Sequence, residues 1–213
     1  MGQRQRFLLV AGWVVVLAVA GVGYAQIPTD LGPGETWQCW TFDTDANPAA
    51  PEEVLNPFGD PWAEIAVTGA VHDLQPGWSA YWLGREGVWH ADLTEVWLHI
   101  PNQDVPNPYK EITLRAGYRG ELIDQFVQVA NGTVELLENT SQILPDGWHE
   151  LTLRWRIEPN PSDELIYLAI QDSGADLDWL CVRTACVPEP CVGLLVGVGG
   201  LIAAMRRRRA RKH

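Results

Sequence analysis

Residues 148–159 read Trp148-His-Glu-Leu-Thr-Leu-Arg-Trp-Arg-Ile-Glu-Pro159. Side chains alternate across an extended chain, so Leu151, Leu153, Trp155 and Ile157 fall on one face. Glu150, Thr152, Arg154 and Arg156 fall on the other. One face demands a core and the other demands water, which is the signature of a half-buried antiparallel strand. Residues 94–100 repeat the pattern with Val96, Leu98 and Ile100 inward and Trp97 outward. Residues 164–171 (ELIYLAIQ) are apolar on both faces and read as a central strand.

Working outward, period-two runs recur at 36–43, 63–68, 78–83, 88–92, 94–100, 109–116, 123–130, 133–138, 148–157, 164–170 and 177–184. Turn residues separate them, among them NPFGDP, QPGW, PNPSD and DSGAD. The Asn131-Gly132 step between two runs predicts a hairpin turn. No stretch of the body carries a capped helical stripe. Eleven short strands predict an all-β fold: an antiparallel two-sheet sandwich, jelly-roll or lectin-like in layout. Residues 36–186 form that domain, after a Pro/Gly-broken linker at 26–35.

The 213 residues are 46% hydrophobic and 20% charged, enough apolar material for one packed core. The charge is unevenly placed. Residues 26–187 hold 26 of the 27 acids but only seven of the fifteen cations, a formal charge near −19. Such a body repels nucleic acid and anionic lipid, so neither is an expected partner for it.

Both ends read as addresses. Arg4 and Arg6 precede the uncharged stretch 7–25, and Gly23 and Ala25 stand at the −3 and −1 positions of a cut before Gln26. That is the pattern of a secretory signal peptide at 1–25, read by the export translocon. At the other end come Val187, Pro188, Glu189 and Pro190, then an apolar run at 191–205, then Arg206, Arg207, Arg208 and Arg209. The prolines stop a helix from running back into the domain. The apolar run would make a helix about 22 Å long, short for a hydrocarbon core of ~30 Å. The arginines would hold their end on the cytoplasmic side.

This C-terminal arrangement resembles the PEP-CTERM sorting signal of exported bacterial proteins, over residues 187–213. Pro188, Glu189 and Pro190 match its element, while Cys191 stands where the family more often has a small residue such as alanine. The resemblance implies recognition by exosortase, an integral-membrane sorting protease that cuts near the Pro-Glu-Pro element. It further implies transient anchoring through a short transmembrane helix, then delivery to the cell surface or extracellular matrix. It implies nothing about the body.

Within the body, Trp78, Tyr81, Trp82, Trp89 and Trp97 crowd into twenty residues. Indoles can stack on sugar faces, so these are the candidates for binding extracellular polysaccharide; large aromatics can equally fill the gap between two sheets. Asp43 and Asp45 begin an oxygen-rich turn that could hold a structural calcium, though Pro48 and Val54 rule out an EF-hand loop. No other cofactor is expected. His72, His90, His99 and His149 form no helical metal pair, and neither a serine-nucleophile elbow nor a phosphate loop is present. A non-catalytic protein is therefore the expectation, with a glycan-active enzyme or a ligand-free matrix protein as alternatives. Cys39 could bridge to Cys181 or to Cys186 in an oxidising compartment.

Overall fold

The computed structural model describes residues 28–29, 31–70, 74–103, 105 and 107–187. Among them the chain forms nine strands and no helix. In order these are β1 (Glu35–Trp40), β2 (Glu53–Leu55), β3 (Trp62–Thr68), β4 (Gly77–Trp82) and β5 (Arg85–Pro101), then β6 (Tyr109–Gln128), β7 (Thr133–Ile143), β8 (His149–Glu158) and β9 (Asp163–Val187). Every pairing is antiparallel, within one hydrogen-bonded sheet. Its path runs β2-β1-β9-β6-β8-β7, and β5 joins β9 while carrying β3 and β4 on its other edge.

The count of nine corrects the expected eleven. Runs 88–92 and 94–100 are one strand, β5, with a register shift between Ala91 and Leu93. Runs 109–116 and 123–130 are both β6, whose register slips at three places between Gly117 and Asp124. Runs 164–170 and 177–184 are both β9; Gln171 and Ala175 occupy neighbouring ladder positions, so Asp172-Ser173-Gly174 bulges outward instead of turning the chain. Bulges and turns draw on the same residues, so the breakers were real but their geometry was not legible. The three-residue β2 was not anticipated. Asn131-Gly132 closes no hairpin either: β7 pairs with β8, not β6. Gly132 adopts φ 112°, and a Cβ there would press on the Glu158 carbonyl.

β9 divides the sheet. Its residues 163–177 pair with β5 and its residues 180–185 with β1, while β6 follows its other edge throughout. The first half comprises β2, β1, the end of β9, the start of β6, β8 and β7. The second comprises β3, β4, β5, the start of β9 and the end of β6. One main core draws on both: Leu114, Leu153 and Val182 from the first, Val96, Leu98 and Leu168 from the second, all fully buried. Each such side chain contributes roughly 1.5–3 kcal/mol by leaving water.

A smaller cluster lies on the opposite face of the first half. There the Cys39–Cys181 disulfide joins β1 to β9 under Trp37 and Trp179. Gly117 is the residue that lets Trp179 lie flat on β6, because a Cβ there would run into the indole nitrogen. Cys186 is a free, buried thiol.

Candidate functional site

The outer face of the second half gathers residues that are distant in sequence. Strand register places Glu64, Trp97, Tyr167 and Phe126 side by side across β3, β5, β9 and β6. The row below is Ala66, Glu95, Ala169 and Asp124, and the row above begins with Trp62 and His99. Alternation explains the face: Val96 and Leu98 are buried in the core, so Trp97 points away from it.

The aromatics touch one another. Trp97 and Tyr167 ring centres lie 4.4 Å apart and Phe126 and Tyr167 4.8 Å apart. Trp97 and Phe126 meet edge to face at 5.8 Å, an arrangement favoured by ring quadrupoles. Tyr167 sits beneath, 9% exposed, while Phe126 is 37% exposed and Trp97 half-buried. The Tyr167 hydroxyl donates to Glu95 Oε1 at 2.5 Å, which fixes the central ring. Burial, reinforced by that carboxylate, pushes the Tyr167 phenol up to about 12. Trp62 stacks on His99 at 5.3 Å and 24°. With strands about 4.8 Å apart the three backbone positions span roughly 10 Å, and the Trp97 and Phe126 rings lean toward each other until their centres are 5.8 Å apart. The row offers a compact, partly exposed aromatic cluster, its rings tilted 31–76° to one another, edged by carboxylates.

Those carboxylates stand apart from the ion pairs of the domain. Each of the seven cations at 26–187 lies within ion-pair distance of an acid elsewhere. Arg85 pairs with Asp146 and Asp178, Lys110 with Glu164, and Arg119 with Asp176. Arg115 pairs with Glu150, Arg154 with Glu111 and Glu138, Arg156 with Glu111, and Arg183 with Glu35. Among the described residues, Glu64, Glu95 and Asp124 form no ion pair.

The aromatic candidates read from sequence do not assemble. Trp89 is 6% exposed and belongs to the core. Trp78 packs against that core and donates from Nε1 to the Phe42 carbonyl at 2.8 Å. Trp82 stacks on His90 at 4.3 Å and donates to Asp176 Oδ1 at 3.1 Å. Tyr81 is 68% exposed. Trp97 alone of the five stands on the aromatic face, and its neighbours there, Phe126, Tyr167 and Trp62, were missed. Their signal was the outward phase of three separate strands, which becomes a site only when the register is known.

A second concavity, about 390 Å³, opens between β6, β7 and β8. On its wall Tyr118 Oη lies 3.2 Å from Ser141 Oγ, which lies 3.2 Å from His149 Nδ1. Elsewhere Ser79 Oγ meets His90 Nε2 at 2.9 Å; burial pushes the His90 imidazole below its usual range. Asp43 is exposed and accepts from the Thr41 hydroxyl at 2.9 Å, while Glu52 accepts from the backbone N–H groups of Thr41 and Asp43. Asp45 is exposed as well. Among the described residues no three metal-ligating side chains converge, and no helix is long and apolar enough to cross a membrane. His72, the signal segment 1–25, Pro188, Glu189, Pro190, the apolar run 191–205 and Arg206 to Arg209 lie outside the described residues.

No protein family, curated protein or solved structure matches this chain significantly.

Proposed function

We propose that this is an exported, non-catalytic surface protein whose body binds extracellular polysaccharide. The observation that carries the binding is the Trp97–Tyr167–Phe126 strip on one sheet face, braced by Glu95. A flat ring face stacks on the apolar face of a pyranose, and neighbouring carboxylates accept hydrogen bonds from its hydroxyls. Export and sorting rest on the sequence: the leader at 1–25, the Val187-Pro188-Glu189-Pro190 element, the apolar run 191–205 and the basic end. In this reading the sorting protease engages Pro188-Glu189-Pro190, and the arginines stop transfer until it does.

The same proposal includes a sandwich. The sheet folds over where β5, β6 and β9 bulge, so that its two halves face each other across the shared core. Two features support it: the register shifts cluster at the point where β9 changes neighbours, and buried residues of both halves form one cluster.

Retention on immobilised polysaccharides tests the binding. The wild-type protein should be retained and a Trp97→Ala variant should elute early. Equal retention of both would overturn the assignment to this face. For sorting, deletion of Pro188-Glu189-Pro190 should leave a surface product that keeps its C-terminal peptide, whereas the wild-type product loses it. Two products of the same size would mean a plain anchor.

A further inference from the structure

The outer face of the second half selects the charge of its ligand, and this step rests on the glycan reading above. Four ladder rows cross that face from β3 through β5 and β9 to β6. They carry four acids, Glu64, Glu95, Asp124 and Glu121, and not one lysine or arginine. His99 is the one basic group, and its Nε2 lies 3.9 Å from the Asp163 carboxylate. Each of the seven cations of residues 26–187 lies within ion-pair distance of a carboxylate outside these four rows.

We infer that the ligand is a polysaccharide bearing free amino groups, a glucosamine-type polymer, with a pyranose face on the Trp97 indole, Phe126 at its edge, and its ammonium groups beside Glu64, Glu95 and Asp124. A polyuronate would meet four like charges and no lysine or arginine, at close range and over a surface already strongly negative. A neutral glycan gains only the stacking. An amino sugar gains stacking and charge-assisted hydrogen bonds together, and these are the stronger kind. Tyr167 is spoken for by Glu95 and serves as the floor of the strip. Exposed charge pairs are individually weak, so discrimination comes from three carboxylates acting in concert and fades as salt rises.

The test uses the full-length protein in detergent and oligosaccharides of one length: glucosamine, N-acetylglucosamine and uronate oligomers, in mildly acidic buffer that keeps sugar amines protonated and carboxylates ionised. The glucosamine oligomer should bind about tenfold more tightly than its N-acetylated counterpart, and the uronate should bind weakest. A Glu64→Gln/Glu95→Gln/Asp124→Asn variant should lose that preference and keep its affinity for the N-acetylated oligomer; the carboxamide oxygen introduced at position 95 still accepts from Tyr167. Should the triple variant melt early, Glu64→Gln/Asp124→Asn spares the Tyr167 contact and should halve the preference or better. Trp97→Ala should weaken both amino-sugar ligands about tenfold. A preference that survives the carboxamide variants, or equal affinity for charged and N-acetylated oligomers, would overturn the charge inference while leaving the glycan reading intact. Absence of binding to every oligomer would overturn the glycan reading itself. Polylysine binding that matches glucosamine and ignores Trp97→Ala would reveal a general cation sponge and overturn both.

Discussion

The two halves of the sheet share a core and differ on their outer faces. The first half shows Arg115, Arg154, Arg156 and Arg183, each locked to a glutamate on a neighbouring strand. The second shows Trp97, Phe126 and unpaired carboxylates. A surface whose arginines are each paired with a glutamate has less unmet charge to offer a ligand. A surface of flat rings beside unneutralised acids carries an unmet potential. The proposed binding is therefore assigned to the second half, and the first half is read as the stabilising side, stapled by Cys39–Cys181.

The contact that ties the halves together gives the largest expected effect. Lys110 of β6 and Glu164 of β9 are fully buried and hydrogen-bonded to each other. Burial drives the Glu164 carboxyl upward against the pull of Lys110. Lys110→Met strands that carboxyl in the core and should cost about 3–5 kcal/mol in urea unfolding, while Lys110→Met/Glu164→Leu should recover most of the loss. Loss of cooperativity in the single variant, with one half unfolding first, would sharpen the division drawn here. Breaking the staple comes next. Cys39→Ala/Cys181→Ala releases a loop of 142 residues, and should destabilise by about 2–5 kcal/mol without weakening glycan retention.

Asp178 lies on β9 where its neighbour changes from β5 to β1 and hydrogen-bonds Arg85 at 2.8 Å. Burial, against the attraction of Arg85, pushes its carboxyl up to about 6. Between about pH 4 and pH 6 the folded protein thus holds a proton that the unfolded chain has released. Stability from this group rises as pH falls through about 6 and levels off near the unfolded value of about 4. Asp178→Asn has no such proton. The unfolding free energy of wild type relative to this variant should therefore increase by on the order of 2 kcal/mol from about pH 7 to pH 4; a flat difference would contradict the burial argument. The smallest effect belongs to the laced surface. Arg154→Ala/Arg156→Ala should cost no more than ~1 kcal/mol.

What the sequence disclosed follows the same division. The alternation in 148–157 and 94–100 gave the inward residues of β8 and β5 directly, including the outward turn of Trp97. It could not tell Asp172-Ser173-Gly174 from a turn, because the residues that let a strand bulge also let it reverse. The aromatic strip stayed hidden for a different reason. Phe126, Tyr167 and Trp97 are separated by tens of residues and meet only through the pairings of β6, β9 and β5. The tryptophan-dense stretch 78–97 stands out by composition, yet most of its indoles serve the core or cap buried polar groups.

Retention of paired variants on an immobilised glucosamine polymer puts the contrast between faces to its most direct test. Trp97→Ala/Phe126→Ala should fall to the level of a blank column, and Arg154→Ala/Arg156→Ala should be held like wild type. Equal behaviour of the two pairs, or loss confined to the arginine pair, would contradict the account.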